Sequence, residues 1–177
     1  MDDIVKAAIK KWPNVPHCYG WLGLDARGDW YLRDEAAQAA GAFPVSKGSR
    51  VVHDKLREFI GRNYEHDDRG AWFFQNGPQR VYLLLEAAPW VLGVQRRDAG
   101  GFDLRTHTGL AIDRVDSAWL DDMGRLFLAT EHGLGLVRSM DMDAAADALE
   151  SGAWGEPQEI TFQALRERFG YQLNPQP

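Results

Sequence analysis

The sequence has little cysteine, no excess of positive charge and no long hydrophobic run. Its single cysteine, Cys18, excludes an intramolecular disulfide and is typical of proteins from a reducing compartment. The formal net charge of −6 argues against a general nucleic-acid binder and against an anionic membrane surface as partner. The longest apolar run, around Val81–Val94, is broken by Glu86 and Pro89, so no segment is expected to span a bilayer.

No secretory leader is expected either, because charged residues such as Asp2, Asp3 and Lys6 interrupt the apolar positions of residues 1–12. The cytoplasm is therefore the expected location. A chain of 177 residues, 45% hydrophobic and 26% charged, needs no metal or disulfide to bury a core. We predict a single compact domain over 1–177 with no cofactor, in which 13–96 and 97–177 are candidate structural repeats.

What the sequence does contain is a short charged turn that ends in glycine and recurs four times. The copies are Asp25–Gly28, Asp67–Gly70, Arg97–Gly100 and Asp121–Gly124. Asp starts such turns well, and glycine accepts the left-handed conformation that closes them, so four β-hairpins are predicted. Carboxylates at hairpin tips are expected to be solvated, which makes the pairs Asp67-Asp68 and Asp121-Asp122 poor candidates for acid–base catalysis.

The segments around these turns predict the fold class. Period-two patterns give four strands between Ala71 and Thr108, and their short connections favour antiparallel neighbours. Helices are predicted near residues 2–12, at 49–64 and 143–151 with Ser49 and Asp143 as N-caps, and after Thr161. The prediction is α+β, an antiparallel β-meander with packed helices, and the helices at 49–64 and 143–151 favour a duplicated hairpin–helix unit.

A specific order of features runs from Cys18 to Val94. A hairpin that starts at the cysteine is followed by an arginine-bearing segment, an amphipathic helix, an Asp-Gly-aromatic hairpin and a strand that reaches Ala88-Pro89-Trp90. The segment Arg105-Thr106-His107-Thr108-Gly109, further along the chain, is a further feature of the same pattern. This order resembles an uncharacterised bacterial domain-of-unknown-function family with a repeated α+β motif. The resemblance implies an α+β fold and a role in ligand or partner sensing in signal transduction.

Loops that break the strand pattern are the candidates for binding. The segment 75–80 interrupts an apolar β region with polar residues, of which Gln75, Asn76 and Arg80 are ligand-binding candidates. Arg80 is suited to a carboxylate or phosphate. The same segment also fits a plain turn, because Asn-Gly is a strong hairpin signal.

Two further loops combine hydroxyl, imidazole and glycine. Thr106, His107, Thr108 and His132 are the candidates there, because neighbouring glycines allow a ligand to approach the backbone closely. No complete dinucleotide fingerprint, phosphate loop or nucleophile elbow is present. No metal site is predicted, since the histidines lack the short spacing of a zinc site.

These observations favour a non-enzymatic cytosolic module that binds a small molecule or a protein, with a link to signalling. They leave open whether the chain forms a homodimer. The alternative is an enzyme of unrecognised class that uses His107 and His132 with a nearby carboxylate. That alternative requires these groups to converge within hydrogen-bond reach in one pocket.

Overall fold

The computed structural model describes residues 1–177, with five α-helices and thirteen strands in two sheets. The chain forms two compact units. Unit 1 comprises Met1–Asp25, Asp29–Glu86 and Tyr171–Pro177, and unit 2 comprises Ala26–Gly28 and Ala87–Gly170. The main division thus falls between residues 86 and 87, whereas the sequence placed it between 96 and 97.

Unit 1 is built on a six-stranded mixed sheet. Its elements are α1 (Asp3–Lys11), β1 (Cys18–Leu24), β2 (Trp30–Leu32), α2 (Glu35–Ala40), β3 (Ser49–Arg50), α3 (Asp54–Arg62), β4 (Tyr64–His66), β5 (Trp72–Asn76) and β6 (Gln79–Leu85). The strand order is β3-β2-β1-β6-β5-β4. Two antiparallel three-stranded meanders, β1–β3 and β4–β6, are joined by the parallel pair of β1 and β6.

Unit 2 is built on a seven-stranded mixed sheet. Its elements are β7 (Trp90–Arg96), β8 (Phe102–Thr106), β9 (Ala111–Ile112), β10 (Val115–Asp121), β11 (Leu126–Thr130), β12 (Gly133–Val137), a 3-10 turn (Ser139–Asp141), α4 (Met142–Glu150), β13 (Gln158–Ile160) and α5 (Phe162–Phe169). The order is β13-β10-β11-β12-β7-β8-β9. The meanders β7–β9 and β10–β12 are joined by the parallel pair of β7 and β12, and β13 adds parallel to β10.

The α+β class is confirmed, but the continuous antiparallel meander is wrong. Strands β6 and β7 do not pair, and they belong to different sheets. The physical reason is that β6 already has β5 on one edge and β1 on the other. At its end the Glu86 amide donates to the Leu24 carbonyl at 3.0 Å. A strand with both edges occupied cannot begin another hairpin, however short the connection.

Each unit has its own fully buried apolar centre. In unit 1 these side chains come from β1, α3, β5 and β6, and examples at 2% exposure or less are Leu22, Leu24, Ile60, Phe73 and Leu83. In unit 2 they come from β7, β11 and α5, with Leu92, Leu126, Phe127, Leu128 and Leu165 as examples. Burial of each such side chain stabilises the fold by about 1.5–3 kcal/mol.

All four glycine-closed turns form hairpins. Their terminal glycines have φ values between +72° and +89°, the left-handed region that the sequence predicts. The expectation of solvated carboxylates is wrong for the leading Asp of the acidic pairs. Asp121 is 5% exposed, and its Oδ1 accepts the backbone N–H groups of Met123 and Arg125 at 3.0 and 2.8 Å. The carboxylate turns inward because it satisfies the amides of its own turn, and only the second residue of each pair is exposed.

Two of the predicted helix starts are displaced. Ser49 does not cap α3, because it pairs with Leu32 as part of the edge strand β3. Asp143 lies inside α4, which begins at Met142. The start of α5 is as predicted, with the Thr161 hydroxyl accepting the Ala164 amide at 3.2 Å.

The last residues of the chain return to unit 1. The Leu85 amide donates to the Leu173 carbonyl at 2.8 Å, and the Gln172 amide donates to the Gly70 carbonyl at 3.0 Å. Tyr171 is 6% exposed. Segment 171–177 is therefore an integral part of unit 1.

Candidate functional site

Unit 1 carries a concave surface lined almost entirely by apolar side chains, which we call the apolar groove. It has a volume of about 480 Å³ and lies between α3 and the strands β1, β2 and β5. Its main apolar walls are Trp21, Leu22, Leu32, Leu56, Phe59 and Phe74. Such a volume falls within the range of about 300–1,000 Å³ that small-molecule pockets occupy.

The groove forms because the apolar stripe of α3 extends beyond the core that it covers. Ile60 is 1% exposed, and Phe59 packs edge-on against Phe74 with ring centroids 5.5 Å apart. Leu56 lies one turn earlier on the same stripe and remains 36% exposed. Leu32, at the end of β2, is 48% exposed. Large apolar side chains therefore face water around one concavity.

A few polar groups lie at the rim of the groove. The side-chain amide of Asn76 makes no hydrogen bond within the chain, so it can donate to and accept from a ligand. Cys18 is a free, half-buried thiol on the same lining. Asp34 is engaged as the N-cap of α2, where it accepts the Ala37 amide at 2.8 Å.

A buried arginine holds the loop beside the groove. Arg33 is 4% exposed, and its guanidinium donates to the carbonyls of Ser46, Ala37, Gly41 and Gly20. No carboxylate lies within 4.0 Å of it. The guanidinium thus supplies donors to backbone groups that the irregular segment after β2 would otherwise leave unpaired.

The predicted loop at 75–80 is the hairpin between β5 and β6. Gln75 is 3% exposed, and its Nε2 donates to the Gly77 carbonyl at 2.9 Å. The guanidinium of Arg80 lies 4.4 Å from the centre of the Phe73 ring. Of the three candidates in this loop, the structure places only Asn76 at the apolar groove.

The candidate residues of unit 2 lie in neighbouring turns around Trp90. The hydroxyls of Thr106 and Thr108 are 2.9 Å apart, and Thr106 also accepts the Leu110 amide at 3.1 Å. Thr106 is 4% exposed. These hydroxyls therefore stabilise the turn between β8 and β9.

His107 is held in its neutral form. Its Nδ1 accepts the Val91 amide at 3.3 Å, which places the proton of the neutral ring on Nε2. Although part of the residue reaches solvent, the ring is enclosed, and this burial lowers the pKa of His107 from 6.5 to about 3. Its ring centre lies 5.7 Å from that of Trp90.

His132 lies in the turn between β11 and β12. Its Nε2 is 2.9 Å from the Ala111 carbonyl, to which it donates, and 3.9 Å from Glu131 Oε1. Glu131 in turn accepts the amides of Asp113 and Arg114 at 2.7 and 3.2 Å. These backbone hydrogen bonds hold the pKa of Glu131 below its ordinary value.

The convergence that the enzymatic alternative requires is not found. The Trp90 ring contacts both imidazoles, but no hydrogen bond joins His107 to His132. No three His, Cys, Asp or Glu side chains are grouped so that they could hold a metal ion. None of the helices is long and apolar enough to cross a membrane.

Sequence reasoning missed most of the apolar groove. The sequence predicts only a helix over 49–64 for Leu56 and Phe59, and it singles out neither Trp21 nor Leu32. Periodicity shows which residues share a face, but it does not show where that face ends.

The structure therefore defines an α+β protein of two mixed sheets with a candidate binding groove. The family model DUF2944, described as "Protein of unknown function (DUF2946)", matches residues 1–176. The chain belongs to this family, whose function is unknown, and the predicted membership of an uncharacterised family is confirmed. A search of curated proteins finds no match.

Two solved structures of DUF1285 family proteins are similar to this chain. The protein from Silicibacter pomeroyi DSS-3 is 11% identical, with a TM-score of 0.51 over 83% of this chain and 84% of that one. The protein from Shewanella baltica OS155 is 17% identical, with a TM-score of 0.47 over 72% of this chain and 91% of that one. The first of these supports the fold and carries no information on activity.

Proposed function

We propose that the protein is a non-enzymatic binding module that takes a small, mostly apolar molecule in the apolar groove. The observation that carries this proposal is the concavity of about 480 Å³ around which Trp21, Leu32 and Leu56 remain 44%, 48% and 36% exposed. Apolar side chains of this size face water at a free-energy cost of about 25 cal/mol per Å². A ligand that covers them removes that cost.

The dimensions of the groove favour a small molecule over a protein. A stable protein interface buries roughly 800 Å² on each partner, centred on a broad patch. The groove is instead a concavity with one unengaged polar side chain, Asn76, at its rim. This composition matches pockets in which a single polar group orients an apolar ligand. A second copy of the chain is the competing occupant.

We also propose that the two units derive from a duplicated β-sheet unit. The argument is that the two sheets share one strand order. Unit 1 has the order β3-β2-β1-β6-β5-β4, and adding six to each number gives β9-β8-β7-β12-β11-β10. This is the strand order of unit 2 once the additional edge strand β13 is left out. Each unit carries glycine-closed turns in the first hairpin of both its meanders. The helices do not follow this order, because α3 precedes β4 whereas α4 follows β12.

A cytosolic location and a sensing role complete the proposal. The lone thiol of Cys18 supports a reducing compartment. The resemblance noted in the sequence supports sensing, in which occupation of the groove would be the signal.

Binding of Nile red, a neutral apolar dye, tests the proposal. We expect the wild-type protein to enhance dye fluorescence saturably and the dye to slow alkylation of Cys18 by iodoacetamide. Leu56→Ser should weaken dye binding about tenfold, because a Leu side chain contributes about 1.5–3 kcal/mol when covered.

The matched control is Leu110→Ser, which removes a leucine of unit 2 that is 46% exposed, compared with 36% for Leu56. It should leave dye binding and Cys18 protection unchanged. Equal effects of the two substitutions, or dye binding without Cys18 protection, would contradict the groove as the site. A monomer–dimer equilibrium that responds to Leu56→Ser alone would instead identify a second copy as the occupant.

A further inference from the structure

The exposed face of β7 and β8 in unit 2 holds a second, polar cavity of about 180 Å³. Gly93 lies opposite Arg105 in the ladder, and Gln95 lies opposite Asp103. Because side chains alternate along a strand, these four residues share one face, while Leu92 and Leu104 point into the core. The cavity therefore lies on the sheet surface, and His107 and Arg138, which follow the ends of β8 and β12, complete its lining.

A glycine in this face makes room for a second arginine. A Cβ atom placed on Gly93 would lie only 2.7 Å from Nη2 of Arg138, so the guanidinium rests directly on the strand backbone. Arg138 is held there by Asp141. The Nε and Nη2 atoms of Arg138 donate hydrogen bonds to Oδ2 of Asp141, at 2.8 and 2.6 Å respectively. The same carboxylate oxygen accepts the Val94 amide at 3.1 Å. The guanidinium is thus fixed in place, and its Nη1 makes no hydrogen bond within the chain.

The charges around the cavity leave one unpaired cation. Asp103 is neutralised by Arg97 at 2.6 Å, and Arg138 by Asp141. Arg105 has no carboxylate within 4.0 Å, and its guanidinium makes only one long hydrogen bond, from Nη1 to the Gly109 carbonyl at 3.4 Å. His107, which also lines the cavity, has its pKa lowered by burial to about 3 and carries no charge at neutral pH. The cavity therefore has a net charge of about +1 and several unused N–H donors.

We propose that this cavity binds a small monocarboxylate, with Arg105 supplying the charge and Arg138 a second, fixed donor. The planar guanidinium matches the geometry of a carboxylate, and two donors from different elements define its orientation. A single negative charge neutralises the site, whereas a phosphate dianion would leave an excess negative charge beside Asp103. The small volume restricts the acid to a short chain. This site is separate from the apolar groove, and its test does not depend on the proposed function.

Titration with butyrate, followed by NMR of the backbone amides, tests the inference. We expect saturable shifts centred on Gly93, Gln95 and Arg105, and none with butanol at the same concentrations. Arg105→Gln should weaken butyrate binding about tenfold or more, since it removes a charge-assisted hydrogen bond. Gly93→Ala should weaken it too, because the added methyl group displaces the flexible end of Arg138.

The control for the loss of charge is Arg114→Gln, an exposed arginine of unit 2 that is paired with Asp116 and does not line the cavity. It should bind butyrate like the wild type, and all three variants should keep the wild-type melting temperature within a few degrees. Equal loss with Arg114→Gln and Arg105→Gln would overturn the assignment. Butanol shifts on the same amides, or displacement of butyrate by inorganic phosphate at lower concentration, would also overturn the monocarboxylate.

Discussion

The two units share a strand topology but present opposite chemistry to solvent. Unit 1 exposes an apolar groove, and unit 2 exposes a polar cavity with two arginines. In each unit a glycine of the first strand is covered by a side chain from elsewhere in that unit, Phe43 on Gly23 and Arg138 on Gly93. Gly93 and Arg138 line the polar cavity, whereas neither Gly23 nor Phe43 lines the apolar groove. The comparison teaches that a shared strand order does not determine the chemistry of the surface that each sheet presents.

The largest effect is expected from substitutions in the two apolar centres, which test whether the two sheets contribute equally to the free energy of unfolding. Phe73 and Phe127 each follow the glycine of the second turn in their unit by three positions and are 2% and 0% exposed. Phe73→Ala and Phe127→Ala should each lower the free energy of unfolding by about 3–5 kcal/mol, through lost burial and a cavity. Urea unfolding followed by circular dichroism measures this. A difference above about 2 kcal/mol between the variants would break the equivalence of the two centres.

A smaller effect separates the turn between β1 and β2 from the turn between β7 and β8. Gly28 and Gly100 both have φ of +89°, but a Cβ on Gly28 would lie 2.8 Å from the His107 Cβ, whereas one on Gly100 would meet nothing within 4 Å. Gly100→Ala should cost about 1–2 kcal/mol from backbone strain alone. Gly28→Ala should cost about 1–3 kcal/mol more, because its methyl group also clashes.

The measurement is the melting temperature and urea midpoint of the two alanine variants side by side. If Gly28→Ala were no more destabilising than Gly100→Ala, the packing of the first turn against His107 would be disproved.

The smallest effect is the change in protein stability with pH that arises from the carboxylates in the turns. Burial raises the pKa of Asp67, but hydrogen bonds from the amides of Ala71 and Arg69, the Tyr82 hydroxyl and the Arg69 guanidinium outweigh burial and leave it below 3.8. A lowered folded-state pKa gives stability that is present above pH 3.8 and is lost as pH falls through the folded value. The advantage of the wild type over Asp67→Asn should therefore shrink in this acidic window.

Melting temperatures from about pH 6 to about pH 2 follow this change. The control is Asp98→Asn in the third turn of the chain, where the carboxylate is exposed and makes no hydrogen bond. A constant gap between the wild type and Asp67→Asn over the whole range would contradict the role assigned to Asp67.

The local elements of the fold could be predicted because their signals are local. Asp and Gly specify each hairpin turn, and Thr161 with Gly170 delimits α5. The pairing of β1 with β6 could not be predicted, because it joins segments that lie far apart in the sequence and no turn specifies it. The same limit explains why Ser49 was assigned to a helix instead of an edge strand.

The same limit applies to the candidate sites, since only features with a local sequence signal could be predicted. Asn76 was found because a polar turn interrupts an apolar run, whereas Leu56 was missed because its exposure depends on strands elsewhere in the chain. Arg105 was noticed only as part of a motif. Its lack of an ion-pair partner depends on how Asp103 and Asp141 are engaged by other arginines, which the sequence does not show.

The return of the last residues to unit 1 fixes an order of assembly. Residues 87–170 lie between two parts of unit 1, and the Leu85 amide finds its carbonyl partner only at Leu173. A ribosome delivers the chain from its amino end, so unit 2 is fully synthesised before unit 1 receives its final segment. All six strands of unit 1 are synthesised before those of unit 2, but unit 1 gains the hydrogen bonds of segment 171–177 only after unit 2 has been synthesised.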